Sequence, residues 1–191
     1  MSPLALSLDP GIRGCGVGLF DVGSRSLVCA SYVKSYRTTD EPLPERVRGM
    51  ALAVKLHASR VGHVVQIIYE WPQVYQGSKQ TGDPNDLTPL AGVDAAIAAF
   101  FPEAALCGYD PRGWKGQVNS NETARRILRR LSPAERATFE DLDALEAKLE
   151  WCERVGKEIK ETGCKQHNTC DGVGIGLKFF GRFERERVYA R

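Results

Sequence analysis

Three carboxylates stand at the ends of apolar segments, where a charged side chain needs a partner. Asp9 follows the apolar segment Leu4 to Leu8, and Glu70 follows the β-branched segment Val64 to Tyr69. Asp171 lies near the start of an apolar C-terminal segment that is expected to be helical. A buried carboxylate loses hydration energy unless it is paired or bound to a metal. Three of them together would form an oxygen-rich site suited to Mg²⁺ or Mn²⁺.

Each acid, taken alone, also has a structural interpretation. Asp9 precedes Pro10-Gly11, so its side chain could cap a turn, and Glu70 could form an ordinary salt bridge. The combination of all three acids is more informative than any one of them.

The elements that would position these acids are predicted from hydrophobic periodicity and turn residues. The predicted strands are Leu4 to Leu8, Gly14 to Phe20, Leu27 to Val33, Val64 to Tyr69 and Ala105 to Tyr109. The predicted helices are Pro44 to Arg60, a segment from Asp86 or Thr88 to Ala99, helices from about Asn121, a charged region from Leu131 to Glu161, and the C-terminal segment. This order favours an α/β protein with a mixed sheet covered by helices. No repeat or linker divides the chain, so residues 1–191 are predicted to form a single domain.

Four short motifs occur in a fixed order between Leu4 and Phe180. They are Leu6-Ser-Leu-Asp9-Pro-Gly11 with Gly14-x-Gly16 beyond it, Ile67-Ile-Tyr-Glu70, Asp110-Pro-x-x-Trp-Lys115, and Asp171 at the opening of an apolar helix. In this order they resemble the RuvC-type Holliday junction resolvases of the RNase H-like superfamily, and the length suits the smaller phage-borne members. The resemblance implies an RNase H-like fold, a five-stranded mixed sheet flanked by helices, with the first and fourth strands adjacent.

The resemblance also implies four metal ligands, the last two within one turn of the same helix. Asp9, Glu70 and Asp171 match directly, whereas the position three residues before Asp171 holds Asn168, a poor metal ligand. His167 stands four residues before Asp171, and both positions face the same side of a helix as Asp171. We favour His167 as the fourth group, with Asn168 as the alternative. Glycines replace the alanines that the family has after this acid, which close packing on the sheet would explain; they are Gly172, Gly174 and Gly176.

The activity implied by the resemblance is Mg²⁺-dependent resolution of four-way DNA junctions by paired symmetric nicks, with Mn²⁺ able to substitute. Two symmetric nicks call for a C2 homodimer, and the helix from Asp86 to Ala99 is the candidate interface. A less selective nuclease for branched or flap DNA is the alternative within the same fold. A non-catalytic nucleic-acid-binding module that lost its fourth ligand at Asn168 is the alternative outside enzymes.

Charge distribution favours a nucleic-acid partner although the whole chain carries only +2. The segment from Arg112 to Arg130 contains six basic residues and one acid, Glu122. The resemblance implies that Lys115 contacts a backbone phosphate and that Arg126 is a second basic contact. Contacts of this kind position a duplex without reading its sequence. The candidates for DNA binding are Lys115, Arg112, Arg125, Arg126 and two aromatics for base stacking, Trp71 and Tyr75. A solvated helix face and core aromatics are the simpler interpretations.

Composition excludes several classes of protein. Hydrophobic residues at 42% and charged residues at 26% are typical of a globular domain rather than a disordered chain. Neither a membrane span nor a secretory signal is expected, and six cysteines without a framework spacing indicate reduced thiols. A cytoplasmic location is expected, in the host cytoplasm if the protein is phage-encoded.

Two weaker alternatives for the site remain. One is a zinc site at Cys164-x-x-His167-x-x-Cys170, which lacks a clear fourth ligand. The other is a nucleotide-binding loop at Gly14-x-Gly16-x-Gly18, which lacks a following helix.

Overall fold

A computed structural model describes residues 2–72, 87–116 and 118–183. Its strands are β1 (Pro3–Asp9), β2 (Gly14–Asp21), β3 (Leu27–Lys34), β4 (His63–Glu70) and β5 (Ala105–Tyr109). They form one sheet in the order β3-β2-β1-β4-β5. The first three strands are antiparallel neighbours, whereas β4 runs parallel to β1 and β5 parallel to β4. The predicted mixed sheet, with β1 beside β4, is confirmed.

The register of β1 and β4 brings their ends together. Leu8 of β1 pairs with Tyr69 of β4, so the next residues, Asp9 and Glu70, lie at the same edge of the sheet. Parallel neighbours direct their carboxyl ends to one edge, where open α/β sheets commonly place their sites. The two acids predicted from the sequence therefore lie next to each other.

Helices cover both faces of the sheet. They are α1 (Leu43–Val61), α2 (Leu87–Ala99), α3 (Pro111–Trp114), α4 (Ser120–Arg130), α5 (Pro133–Arg136), α6 (Leu142–Val155) and α7 (Lys165–Phe179). One core lies between the sheet and α1 with α2, and includes Leu8, Met50 and Ile97. The other lies between the sheet and α4, α6 and α7, and includes Phe20 and Ile127. Within the described ranges no helix combines the length and the apolar character that crossing a membrane requires.

Two helix predictions need correction. The region Leu131 to Glu161 is not continuous, because Ser132 caps α5 together with Glu135 and Gly156 ends α6 in a left-handed conformation at φ 68°. Asp171 does not open its helix: α7 begins at Lys165, so Asp171 lies in its middle. The sequence signal was misread because the polar first turns of α7 do not share the apolar pattern of the turns that follow.

Helix α7 lies directly on β2 because both carry glycine where their backbones meet. A Cβ atom on Gly16 of β2 would overlap the carbonyl oxygen of Asn168, and a Cβ atom on Gly172 would lie 2.6 Å from the carbonyl oxygen of Gly16. The close packing on the sheet predicted for the C-terminal glycines is confirmed for Gly172 and Gly176, whereas Gly174 packs against Ile127 and Trp114 instead. Since the glycine-rich segment is the interior of β2 and leads on to β3, the nucleotide-loop alternative is wrong.

We predict that Gly16→Ala destabilises the protein, because the added methyl group forces α7 away from β2. The free energy of unfolding in denaturant should fall by about 1–3 kcal/mol, the usual cost of overpacking. Gly92→Ala in α2 is the matched control, since its Cβ would meet Val47 at an ordinary 3.6 Å. The control should be neutral or gain up to about 1 kcal/mol from helix propensity. A Gly16→Ala variant as stable as the parent would show that the contact is not tight.

Candidate metal centre

The three predicted acids converge at one edge of the sheet. Asp9 ends β1, Glu70 ends β4, and Asp171 reaches this edge from α7, which packs across β1 and β2. Asp171 is buried, with 4% of its surface exposed, and the side chain of Glu70 is 17% exposed. The sequence prediction that these residues lie together agrees with this geometry, whereas their function as ligands stays a prediction.

Lys115 places its ammonium group between two of these carboxylates. Its Nζ donates a hydrogen bond to Asp171 Oδ2 at 3.0 Å and lies 3.4 Å from Glu70 Oε2. Burial acts to lower the pKa of Lys115, but the negative charges of Asp171, Glu70 and Asp9 outweigh it and raise the pKa above that of a free lysine. Lys115 therefore stays charged and neutralises part of the acidic cluster.

The Asp110-Pro-x-x-Trp-Lys115 motif explains how Lys115 and Glu70 are held. Asp110 caps the short helix α3, its Oδ1 accepting a hydrogen bond from the backbone N–H of Gly113 at 2.6 Å. The fully buried Trp114 of that helix donates from Nε1 to Glu70 Oε2 at 2.6 Å. The motif thus orients one carboxylate through Trp114 and supplies the counter-ion through Lys115. From the sequence, Trp114 was part of the resemblance only, and its hydrogen bond to Glu70 was not predicted.

The acids remain electrostatically unfavourable despite Lys115. Desolvation raises the pKa of Asp9 well above its usual value, and repulsion from Asp171 and Glu70 adds to the increase. Desolvation also raises the pKa of Glu70, although Lys115 opposes the increase. A cluster in this state has a strong demand for further positive charge.

His167 lies on the same face of α7 as Asp171. It is buried, with Nε2 3.7 Å from Asp171 Oδ2. Burial lowers its pKa, which favours the neutral imidazole that binds metals. His167 Nδ1 and Asp171 Oδ1 are buried and have no hydrogen-bond partner among the described residues. Asn168, the next residue of the same helix, is half-buried. The preference for His167 over Asn168 as a fourth ligand stays a prediction.

The donor set fits a divalent cation in chemistry, but the present side-chain positions do not form a finished site. In ranges 2–72, 87–116 and 118–183 no three His, Cys, Asp or Glu side chains are arranged so that they could hold a metal ion. Lys115 lies between Glu70 and Asp171 instead. The orphaned oxygen of Asp171 and the orphaned nitrogen of His167 are the atoms that a cation would satisfy. Binding a metal therefore requires the Lys115 ammonium to move.

The zinc alternative gains no support, because Cys170 lies in the core with its thiol toward the carbonyl oxygen of Ala124.

A fourth acid, Asp94 of α2, was not predicted for this site. It is buried, with 6% of its surface exposed, and both carboxylate oxygens lack a partner among the described residues. Desolvation, and then repulsion from Glu70, raises its pKa to about 8. The signal was present in the sequence, because Asp94 is the one charged residue in the helix LTPLAGVDAAIAA.

The predicted DNA-binding arginines of α4 have other partners. Arg125 pairs with both carboxylate oxygens of Glu153 on α6, and its guanidinium NH2 group lies 2.6 Å from Oε2. Arg126 is buried, with its guanidinium carbon 5.2 Å from the centre of the Phe183 ring. The excess of positive charge seen along the sequence is thus partly balanced in space by acids from another helix. The assignment of Arg125 and Arg126 to DNA stays a prediction.

The remaining DNA-binding candidates lie near the acidic edge or outside the described residues. Arg112 is exposed on α3. Trp71 is 49% exposed, and its ring lies 5.8 Å from that of Tyr69. Its backbone N–H donates to the carbonyl oxygen of Tyr109, which continues the pairing of β4 with β5. Tyr75 lies outside the described residues.

Comparison with solved structures defines the class of fold. The chain matches the structure of Thermus thermophilus RuvC with a TM-score of 0.54 at 15% sequence identity, over 95% of this chain and 98% of that one. It also matches the yeast mitochondrial Holliday junction resolvase Ydc2 with a TM-score of 0.54 at 12% identity, over 93% of this chain and 79% of that one. No protein-family model and no curated protein matches the sequence.

The fold is therefore RNase H-like. More specifically it is the fold of the RuvC-type resolvases, and the resemblance read from the sequence motifs is confirmed at this level.

We predict that the metal-free protein loses stability as pH rises from about 5 to about 9, because burial raises the pKa values of Asp9, Glu70 and Asp94 on folding. Such groups favour the folded state most when protonated, below their unfolded pKa, and this contribution is lost as pH rises through the folded pKa, about 8 for Asp94. Lys115→Gln should deepen the loss at the alkaline end by about 1–3 kcal/mol, since it removes a charged partner of Glu70 and Asp171. Denaturant unfolding in the presence of a chelator measures both.

The control for this experiment is Lys34→Gln, which removes a positive charge from an exposed position at the end of β3. It should leave the pH profile unchanged. A flat profile for the parent protein, or equal profiles for the two variants, would contradict the electrostatic account of the acidic cluster.

Proposed function

We propose that this chain is a nuclease that requires a divalent metal and resolves four-way DNA junctions by paired symmetric nicks, with Mg²⁺ as the cofactor and Mn²⁺ able to substitute. The observation that carries the proposal is the convergence of Asp9, Glu70 and Asp171 at one edge of a RuvC-type sheet, with the Lys115 ammonium between Glu70 and Asp171. One structure of this fold, that of yeast mitochondrial Ydc2, is named a Holliday junction resolvase, which supports junction DNA as the substrate. Residues 1–191 would form one nuclease domain.

The residues that would hold the metal are Asp9, Glu70, Asp171 and His167. Bound there, divalent cations would supply the positive charge that activates water for attack on a phosphodiester and stabilises the leaving oxygen. The carboxylates supply negative charge, and the Trp114 indole fixes one oxygen of Glu70. Buried neutral His167 offers Nδ1, which has no partner among the described residues, as a ligand or a proton acceptor.

Lys115 links the acidic site to DNA. Its ammonium group now pairs with Glu70 and Asp171, and its side chain is 27% exposed. Positive charge bound by the acids would weaken these pairs and leave Lys115 available for a backbone phosphate next to the site. The exposed Arg112 on the preceding helix and the exposed Trp71 beyond Glu70 lie on the path that DNA would follow to reach it.

A homodimer would supply two sites for a two-fold symmetric junction. Helix α2 is the proposed interface, because most of its side chains are apolar and its single charged residue is buried. Its exposed and half-exposed positions are small or apolar, for example Ala91, Ala95 and Ala98. Such a helix face is more suited to a second copy than to water.

The direct test of this function is cleavage of a synthetic four-way junction, with flap and linear duplex DNA of matched sequence as comparators. We predict that Asp9→Asn lowers the cleavage rate by more than about 100-fold, because one metal-binding charge is lost. Junction binding should persist, since the basic residues are unchanged. Asp40→Asn, at an exposed position before α1, is the control with the same chemical change and should cleave normally.

Three results would contradict parts of the proposal. Full activity of Asp9→Asn would remove Asp9 from the site. Equal cleavage of junction and flap DNA would indicate the less selective nuclease. Junction binding by the parent protein without metal-dependent cleavage would indicate a binding module.

We further predict that His167→Ala reduces cleavage at least about 10-fold more than Asn168→Ala, because an imidazole is a much better metal ligand than an amide. Activity with Mn²⁺ should exceed activity with Mg²⁺ in the parent, since Mn²⁺ accepts nitrogen ligands more readily. Cleavage rates of both variants in both metals provide the measurement. A larger defect in Asn168→Ala would place Asn168 at the fourth position.

A further inference from the structure

Asp94 is a buried acid for which the fold gives no structural partner. Its neighbours on α2, Val93 and Ile97, are fully buried in the core between α1, α2 and the sheet. Both of its oxygens are inaccessible to water and accept no hydrogen bond from the described residues. An aspartate that is needed only for folding is normally hydrogen-bonded or paired, because an unpaired buried carboxyl group is costly.

Asp94 directly follows Val93, which shares one core with Leu8 of β1 and Tyr69 of β4, the residues just before Asp9 and Glu70. Its carboxylate repels Glu70 and Asp9, and it acts on Cys15 of β2 and Tyr69 of β4. Asp94 therefore lies behind the ends of β1 and β4, on the α2 side of the acidic edge. No basic side chain among the described residues offsets its charge, since Lys115 is directed to Glu70 and Asp171 on the α7 side.

We propose that Asp94 is a further member of the cation-binding set, which helps to hold the divalent metal on the Glu70 side of the site. This inference rests on the proposed function and extends it, because the four ligands predicted from the sequence do not include a residue of α2. It explains why a single charge is retained in an otherwise apolar helix. It also supplies negative charge on the side of the acidic edge that Lys115 does not neutralise.

A cation at this edge would resolve the two unfavourable features of Asp94. It would provide the missing partner for the buried oxygens, and it would offset the repulsion from Glu70. A buried acid that destabilises the protein until a ligand binds is typical of a binding site. A structural acid already has its partner in the fold.

The test measures Mn²⁺ binding to the full chain without DNA, by titration calorimetry, for the parent and for Asp94→Asn. Asparagine keeps the shape of the side chain and removes its charge. We expect the affinity for Mn²⁺ to fall about 10- to 100-fold, the range found when supporting groups of a metal site are removed. Glu103→Gln, which removes an exposed acid just beyond α2, is the control and should bind Mn²⁺ like the parent.

A second measurement separates a metal-binding from a structural function of Asp94. The melting temperature of metal-free Asp94→Asn should equal or exceed that of the metal-free parent, because an unpaired buried acid is removed, and the increase caused by Mn²⁺ should shrink. A clearly lower melting temperature without metal would overturn the inference and make Asp94 a structural acid. Unchanged Mn²⁺ affinity in Asp94→Asn would overturn it as well. A parent protein that binds no Mn²⁺ would overturn the proposed function and this inference together.

Discussion

The repulsion among desolvated carboxylates is the interaction on which the rest of this site depends. Asp9, Glu70, Asp94 and Asp171 act on one another at the edge of the sheet, and Lys115 is the basic side chain that the described residues place against them. One ammonium group does not balance four carboxylates, so protons or cations must supply the remaining charge. Desolvation by burial, with the repulsion added to it, raises the pKa values of Asp9, Glu70 and Asp94 in the absence of a metal. The same imbalance is what would bind a divalent cation.

The packing of the α7 backbone on β2 brings Asp171 to the sheet edge where β1 and β4 end. Without glycine at Gly16 and Gly172 the two backbones could not approach, and Asp171 and His167 would lie farther from the ends of β1 and β4. Each glycine inside the helix costs about 1 kcal/mol of helix propensity. The sequence accepts this cost at three positions after Asp171, which indicates that the position of the helix matters more than its intrinsic stability.

Much of the fold could be predicted because its signals are local. The alternation in the first strands, the period of α1 and the β-branched segment before Glu70 each specify one element, and their order specifies a mixed sheet. The helix boundaries after Leu131 were predicted less well, because the capping residues Ser132 and Gly156 interrupt a continuous charged pattern. Asp171 was placed too near the start of α7 for a similar reason, since the polar first turns of that helix resemble a loop in sequence.

The site was predictable only as far as its signals are local in the sequence. Acids at strand ends are visible in the sequence, whereas the hydrogen bond from Trp114 to Glu70 and the approach of Asp94 depend on long-range packing. Charge counted along the chain did not reveal that Arg125 of α4 pairs with Glu153 from a distant segment. Position along the sequence does not reveal which charges meet in space.

Diffraction from crystals of the full chain soaked in Mn²⁺, recorded for its anomalous signal, tests the central claim most directly. We predict that Mn²⁺ is bound by Asp9, Glu70 and Asp171, and that Lys115 Nζ is withdrawn from its 3.0 Å contact with Asp171 Oδ2. Crystals with no Mn²⁺ at these carboxylates under saturating conditions, and with Lys115 still bonded to Asp171, would contradict it.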